Sequence, residues 1–218
     1  MRSFLAGAAL LIAAIGALAD GPGAYRPRER AATPAASLTD ELSAIDAYNA
    51  GYAFIQRAEH QENIASASTL PREKTAALRS ARASYEAALK KFGTAVEFDR
   101  SMHEAYTYLG YANRKLGQHY AALEAYEQAL RIHSDFPHAI EYQGQAFLGL
   151  NRIDEAKFNY LRLYALDQAQ AHKLLRAMKS WADANAATPP EGVDVVALKD
   201  WIAERERSHA ADETVAGW

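Results

Sequence analysis

The sequence predicts an all-α solenoid: about three helix-turn-helix units, the first with an elongated hairpin, closed by C-terminal capping helices. Three observations predict it. Ala88-x3-Phe92, Ala122-x3-Tyr126 and Ala156-x3-Tyr160 recur at a spacing of 34 residues, and a fixed period in this range marks a repeat architecture. Ala95, Ala129 and Leu163 follow each alanine by seven residues, and Phe98, Ile132 and Leu166 follow by ten, which continues one face of a helix. Gly117 and Asn151 occupy equivalent breaks; these residue types best tolerate the left-handed backbone that ends a helix.

Composition bounds the chemistry around that fold. The 218 residues carry 24 basic and 27 acidic side chains and no cysteine. A net charge of -3 lacks the basic excess of a nucleic-acid binder. The missing cysteines exclude disulfides, thiolate metal sites, a cysteine nucleophile and a lipid-carrying cysteine at a lipoprotein start.

Residues 1-19 read as a signal peptide. Arg2 precedes an apolar run from Phe4 to Leu18, and Ala17-Leu18-Ala19 places small residues where cleavage after Ala19 requires them. The run of about 15 residues is shorter than the roughly 20 that span a bilayer core, which disfavours the alternative of an uncleaved anchor. The expectation is a periplasmic or secreted protein with no membrane span once the signal is removed. Residues 20-38 mix Pro, Gly, Ala and Arg without apolar periodicity and read as a disordered linker. Arg26, Arg28 and Arg30 are most simply solvated there.

The units are expected at 39-102, 103-136 and 137-168. In the first, Gly51-Tyr52-Ala53 copies Gly110-Tyr111-Ala112, but 59 residues separate the copies, 25 more than one repeat. The spacing predicts two long arms, about 40-67 and 72-99, broken at Thr69-Leu70-Pro71 and each roughly 40 Å long. Leu78, Tyr85 and Phe92 at seven-residue spacing predict a coiled-coil-like seam. An unstructured loop over 57-70 is the alternative.

In the later units, Leu109-Gly110-Tyr111-Ala112 and Gln143-Gly144-Gln145-Ala146 mark the partner helices, their glycines implying close approach of a paired helix. Asp135 and Pro137 read as the cap and first turn of the next helix. Beyond 168, Leu174, Leu175, Met178 and Trp181 form one apolar stripe, and Val195, Val196, Leu198, Trp201 and Ile202 form another. This pair, over 169-209, reads as the cap that covers the last unit's apolar face, followed by a tail at 210-218.

These motifs resemble the tetratricopeptide repeat (TPR) family. Unit 103-136 carries its pattern through Tyr106, Leu109, Gly110, Gly117, Ala122, Tyr126 and Ala129; unit 137-168 carries it through Gly144, Phe147, Ala156 and Tyr160. Departures are Asn113 in an aromatic's place, Gln143 in a leucine's, and Ser134 and Gln168 in a proline's. The resemblance implies stacked helix pairs with a concave groove that holds a peptide or helix of a partner protein. With the incomplete motifs below, neither catalysis nor a cofactor is expected.

Catalytic signatures are incomplete. His103-Glu104-Ala105-Tyr106-Thr107 lacks the second histidine of a zinc-protease motif, and the stretch from Gly144 to Asn151 lacks the Lys-Ser/Thr of a phosphate loop. His133 and His138 flank one turn but lack a third metal ligand. Glu41, Asp46, Glu59 and Glu62 read as solvated charges on a long helix.

The tyrosines carry the functional reading. With Tyr106, Leu109, Gly110 and Asn113 facing the paired helix, Tyr108, Tyr111 and Lys115 fall on the opposite side. One period on come Glu141, Tyr142 and Gln145, and Tyr52 corresponds in the first unit. In the TPR family this face is the groove, so the expected partner-binding set is Tyr52, Tyr108, Tyr111, Lys115, Glu141, Tyr142 and Gln145. Tyrosine suits an interface because it offers large area with a polar tip. The alternative is that the rings pack between units. Thr107 and Glu141 stand where a family clamp for a terminal carboxylate would want basic residues.

The expected function is therefore an envelope interaction module with an adaptor or assembly role. Two alternatives remain: a self-assembling scaffold, with a homo-oligomer as its signature, or an accessory subunit of an envelope enzyme.

Overall fold

The computed structural model describes residues 35-216, with side chains over 38-208, and these described residues form eight α-helices and no strand. The hairpin is α1 (Ala35–Ala67) and α2 (Pro71–Phe98). Two ordinary pairs follow: α3 (His103–Lys115) with α4 (His119–Ile132), and α5 (Pro137–Gly149) with α6 (Ile153–Leu166). The last pair is α7 (Gln168–Ala184) and α8 (Val195–Ala216). The expected signal segment 1-19 and linker residues 20-34 lie outside the described residues. No helix among the described residues is long and apolar enough to cross a membrane.

The helices form two layers. The backbones of α1, α3, α5 and α7 touch in series, whereas α2, α4 and α6 make no backbone contact with one another. The odd-numbered helices therefore line the inner curve of the stack, and the outer row splays apart.

The period is built as expected. Ala88, Ala122 and Ala156 are fully buried, as are Phe92, Tyr126, Ala95, Ala129 and Leu163. The strip stops one turn later: Phe98, Ile132 and Leu166 are 46%, 40% and 44% exposed, because each ends its helix where the chain turns away. Gly117 and Asn151 both adopt positive φ, 80° and 60°. At the first turn, Gln118 N donates to Asn113 O (2.9 Å) and Gly117 N to Arg114 O (2.9 Å); at the second, Arg152 N donates to Phe147 O (2.9 Å) and Asn151 N to Leu148 O (3.0 Å). These paired bonds satisfy carbonyls left open at the helix ends. Gly117→Ala is expected to lower stability by about 1–2 kcal/mol through its left-handed backbone, read as a drop in the urea midpoint.

Gly51 receives the Phe92 ring of its own hairpin, and Gly110 receives the Tyr126 ring of its own pair. Gly144 differs: Leu174 of α7, not the paired α6, fills its space. Tyr160 of α6 instead meets Trp201 of α8 edge-on at 5.2 Å. The cap is thus wedged into the third unit from both layers. Leu174, Leu175 and Met178 join Val195, Leu198 and Ile202 in one core with Ile140 and Leu163, while Trp181 packs at its margin.

Several local expectations change. The helix α1 begins at Ala35, inside the expected linker, where two alanines of high helix propensity follow Pro34. The expected tail is helical through Ala216, since no Gly or Pro interrupts α8 before Gly217. Asp135 does not cap α5; Phe136 holds the cap position without a side-chain bond, and Asp135 instead pairs with Arg162 at 3.2 Å. The seam of the hairpin is largely alanine: Ala77, Ala81, Ala88 and Ala95 alternate with Tyr85 and Phe92 against Ala44, Tyr48, Ile55 and Ala58. Leu78 lies one residue off that seam and is 47% exposed. Gln143 keeps leucine's buried place because Asn159 Nδ2 donates to its Oε1 (3.0 Å) and to Ile140 O (3.0 Å).

Candidate functional site

The inner face carries an aromatic ladder that crosses from unit to unit. Tyr108 stacks on Phe92 (5.4 Å, 12° between planes) and meets Tyr48, Tyr52 and Tyr111 edge-on at 5.9, 5.3 and 6.1 Å. Tyr111 continues to Tyr142 at 5.0 Å, and Tyr142 to Tyr126 at 6.3 Å. Such ring pairs add stabilisation beyond the area they bury.

The seven expected residues share the inner helices but differ in exposure. Tyr108 is 2% exposed and Glu141 is 1% exposed. They form the floor of the face and cannot present a contact surface, a correction to the expected set. A helical wheel places Tyr108 and Tyr111 together; the neighbouring α1 and α2 cover the first and leave the second half-buried. Tyr52, Tyr111, Lys115, Tyr142 and Gln145 are all half-buried and line the face above that floor. Burial pushes the Tyr108 phenol far above its ordinary range, with smaller contributions from neighbouring tyrosines.

Polar bridges tie this row to the hairpin. Tyr111 Oη donates to Glu59 Oε1 (2.6 Å), and Lys115 Nζ donates to Glu62 Oε2 (2.6 Å). Glu59 and Glu62, expected as solvated charges, thus hold α1 to α3. No spacing rule links residues 52 and 53 positions apart, so sequence periodicity could not reveal the pairing. Arg114 lies over the rings of Tyr111 (5.0 Å) and Tyr142 (5.6 Å), a cation–π arrangement also missed by the sequence reading.

Glu141 accepts from Gln145 Nε2 and feels Arg114, Lys173 and Arg176. Burial nevertheless holds its carboxyl above the ordinary carboxylate range, outweighing the Gln145 bond and the cations. With the folded value raised, the native state binds more protons than the unfolded chain between the two values, so stability falls there as pH rises. Glu141→Gln is therefore expected to gain stability relative to the parent above that window and to lose the gain below the ordinary carboxylate range. Urea titrations from pH 4 to 8 check the sign.

Histidines converge at the α3 entrance. His103 Nε2 and His133 Nδ1 lie 3.3 Å apart, while His138 sits against Gln170 Nε2 at 3.3 Å. The expected neighbours His133 and His138 are thus divided between two contacts. Among the described residues, no group of three or more His, Asp or Glu side chains is placed to hold a metal.

Comparison with known proteins agrees with this architecture. Residues 103–136 match the family model of the tetratricopeptide repeat. Over 83 residues the chain is 34% identical to the Hsp70-Hsp90 organising protein of Plasmodium falciparum, a match covering 38% of this chain and 33% of that protein. The chain matches about a third of the length of that curated relative. The eight helices form a TPR-type α-solenoid, and the family match falls on the unit at 103-136.

Proposed function

We propose that the chain is an exported adaptor that assembles envelope complexes by holding a helical or extended segment of a partner protein along its inner face. The observation that carries this reading is the row Tyr52, Tyr111, Tyr142 and Gln145, half-buried on three consecutive inner helices above a closed aromatic floor. A row so fixed costs little side-chain entropy on binding. The repeat match supports a protein-binding role, and the relative that the chain partly resembles is named as an organising protein of Hsp70 and Hsp90. The apolar run before Ala19 supports export, and the incomplete catalytic motifs support a role without catalysis.

The test is cross-linking in the intact envelope with paired variants. Gln145→Arg and Tyr52→Ala should keep parental helicity and lose the trapped partner. Retained capture by both would remove the inner face as the docking surface. Export is checked by the N-terminus of the mature protein: a start at Asp20 supports it, and retention of Met1 in the cytoplasm opposes it.

One observation favours a second reading, a self-assembling scaffold. Phe158 and Leu161, one turn apart on outer helix α6, are 65% and 50% exposed. Oligomers at micromolar concentration in sedimentation, abolished by Phe158→Ser, would favour it over the adaptor.

A further inference from the structure

The long hairpin creates a feature that the other units do not share. Its arms continue past the end of α3 at Lys115: Tyr111 and Lys115 of α3 reach the Tyr85 ring, and the preceding stretch of α2 around Leu78–Arg82 projects beyond them. The result is a notch of about 450 Å³ between α2 and the C-terminal end of α3. Leu78, Ala81 and Leu116 give it an apolar lining.

Its charge is lopsided. Arg79 and Arg82 stand on α2 and Lys115 stands on α3, against Glu62 as the acidic lining residue. Lys115 already holds Glu62 at 2.6 Å and lies over the Tyr85 ring at 5.6 Å. Arg82 pairs with Glu86 at 3.1 Å in an exposed contact that contributes little and is readily exchanged. Arg79 makes no ion pair among the described residues.

The base of the notch is closed: the Tyr85 ring is 2% exposed, with Glu62 and the Tyr111 hydroxyl beside its own hydroxyl, so a ligand meets the rim residues rather than the phenol.

We propose that this notch is a docking site separate from the inner-face row, and that it takes an internal acidic segment of a partner protein. An apolar side chain of that segment seats against Leu78 and Leu116, and its flanking carboxylates meet Arg79 and Arg82. The carboxylates are side-chain groups, so a free C-terminus is not required.

The probe is a C-terminally amidated peptide with one leucine between glutamate pairs, labelled for fluorescence anisotropy and titrated with the full chain. The acidic peptide is expected to bind and to weaken as salt is raised. A lysine-for-glutamate peptide should not bind. The double variant Arg79→Glu/Arg82→Glu should weaken binding at least about tenfold, since two exposed charge contacts become repulsive. Leu78→Asp should weaken it comparably. These positions are exposed, so parental circular dichroism and thermal midpoint are expected. Gln145→Arg, which tests the inner-face reading, should leave peptide affinity unchanged. Absence of acidic-peptide binding, equal binding of the lysine peptide, or parental affinity in both notch variants would overturn the proposal. Loss of affinity in Gln145→Arg with parental affinity in the notch variants would place the peptide on the inner face and overturn it equally.

Discussion

Tyr108→Ala is expected to lower stability by about 3–5 kcal/mol, as large-to-small changes at buried aromatic positions do. The ring is 2% exposed and contacts Phe92, Tyr48, Tyr52 and Tyr111, so its loss opens a cavity bordered by α1, α2 and α3 together. In a linear stack each unit rests on its neighbours, so the damage should weaken coupling between the hairpin and the rest of the array. Urea unfolding followed by circular dichroism should show a lower midpoint and a broader transition. Tyr142→Ala, at a half-buried ring one period on, should cost distinctly less. Equal costs would mean that the two rings share one environment, against the burial described here.

Gly110→Val is expected to cost about 1–3 kcal/mol from overpacking. A Cβ at Gly110 would meet Tyr126 Cε1 at 2.5 Å, and that ring is fully buried with no room to retreat. Gly93 is the contrast. It lies inside α2 with nothing within 4 Å of an added Cβ, so Gly93→Ala should gain about 1 kcal/mol from helix propensity alone. The opposite signs at two helical glycines can be read from one pair of thermal melts.

Much of the fold was legible because repeat architecture writes itself into local sequence. Gly117 and Asn151 must supply the same backbone conformation, and Ala88, Ala122 and Ala156 the same close contact, so residue type betrays position. The elongated hairpin followed from one extra distance between copies, and its break at Pro71 was visible for the same reason. What stayed hidden depends on contacts between elements. Seven-residue spacing selected Leu78 for the seam, but alanines let the two arms approach closely and shifted the contact line to Ala77 and Ala81. The paired helix was expected over Gly144, yet Leu174 arrives from the next unit.

The candidate site shows the same division. Periodicity placed all seven residues on the inner helices, but exposure of each is set by the neighbouring unit. Tyr108 is covered by the hairpin, Glu141 is closed over by Gln145 and the residues around it, and Tyr111 remains accessible at the edge. The bridges from Glu59 and Glu62 cross from α1 to α3, and no one-dimensional pattern carries them.

A photo-cross-linking side chain placed at two positions tests whether a partner docks on the inner curve. Position 145 lies on inner helix α5, and position 158 lies on outer helix α6 where Phe158 is 65% exposed. Irradiation in the intact envelope should yield a discrete protein adduct from position 145 and little from position 158. Adducts confined to position 158, with none from position 145, would contradict the account.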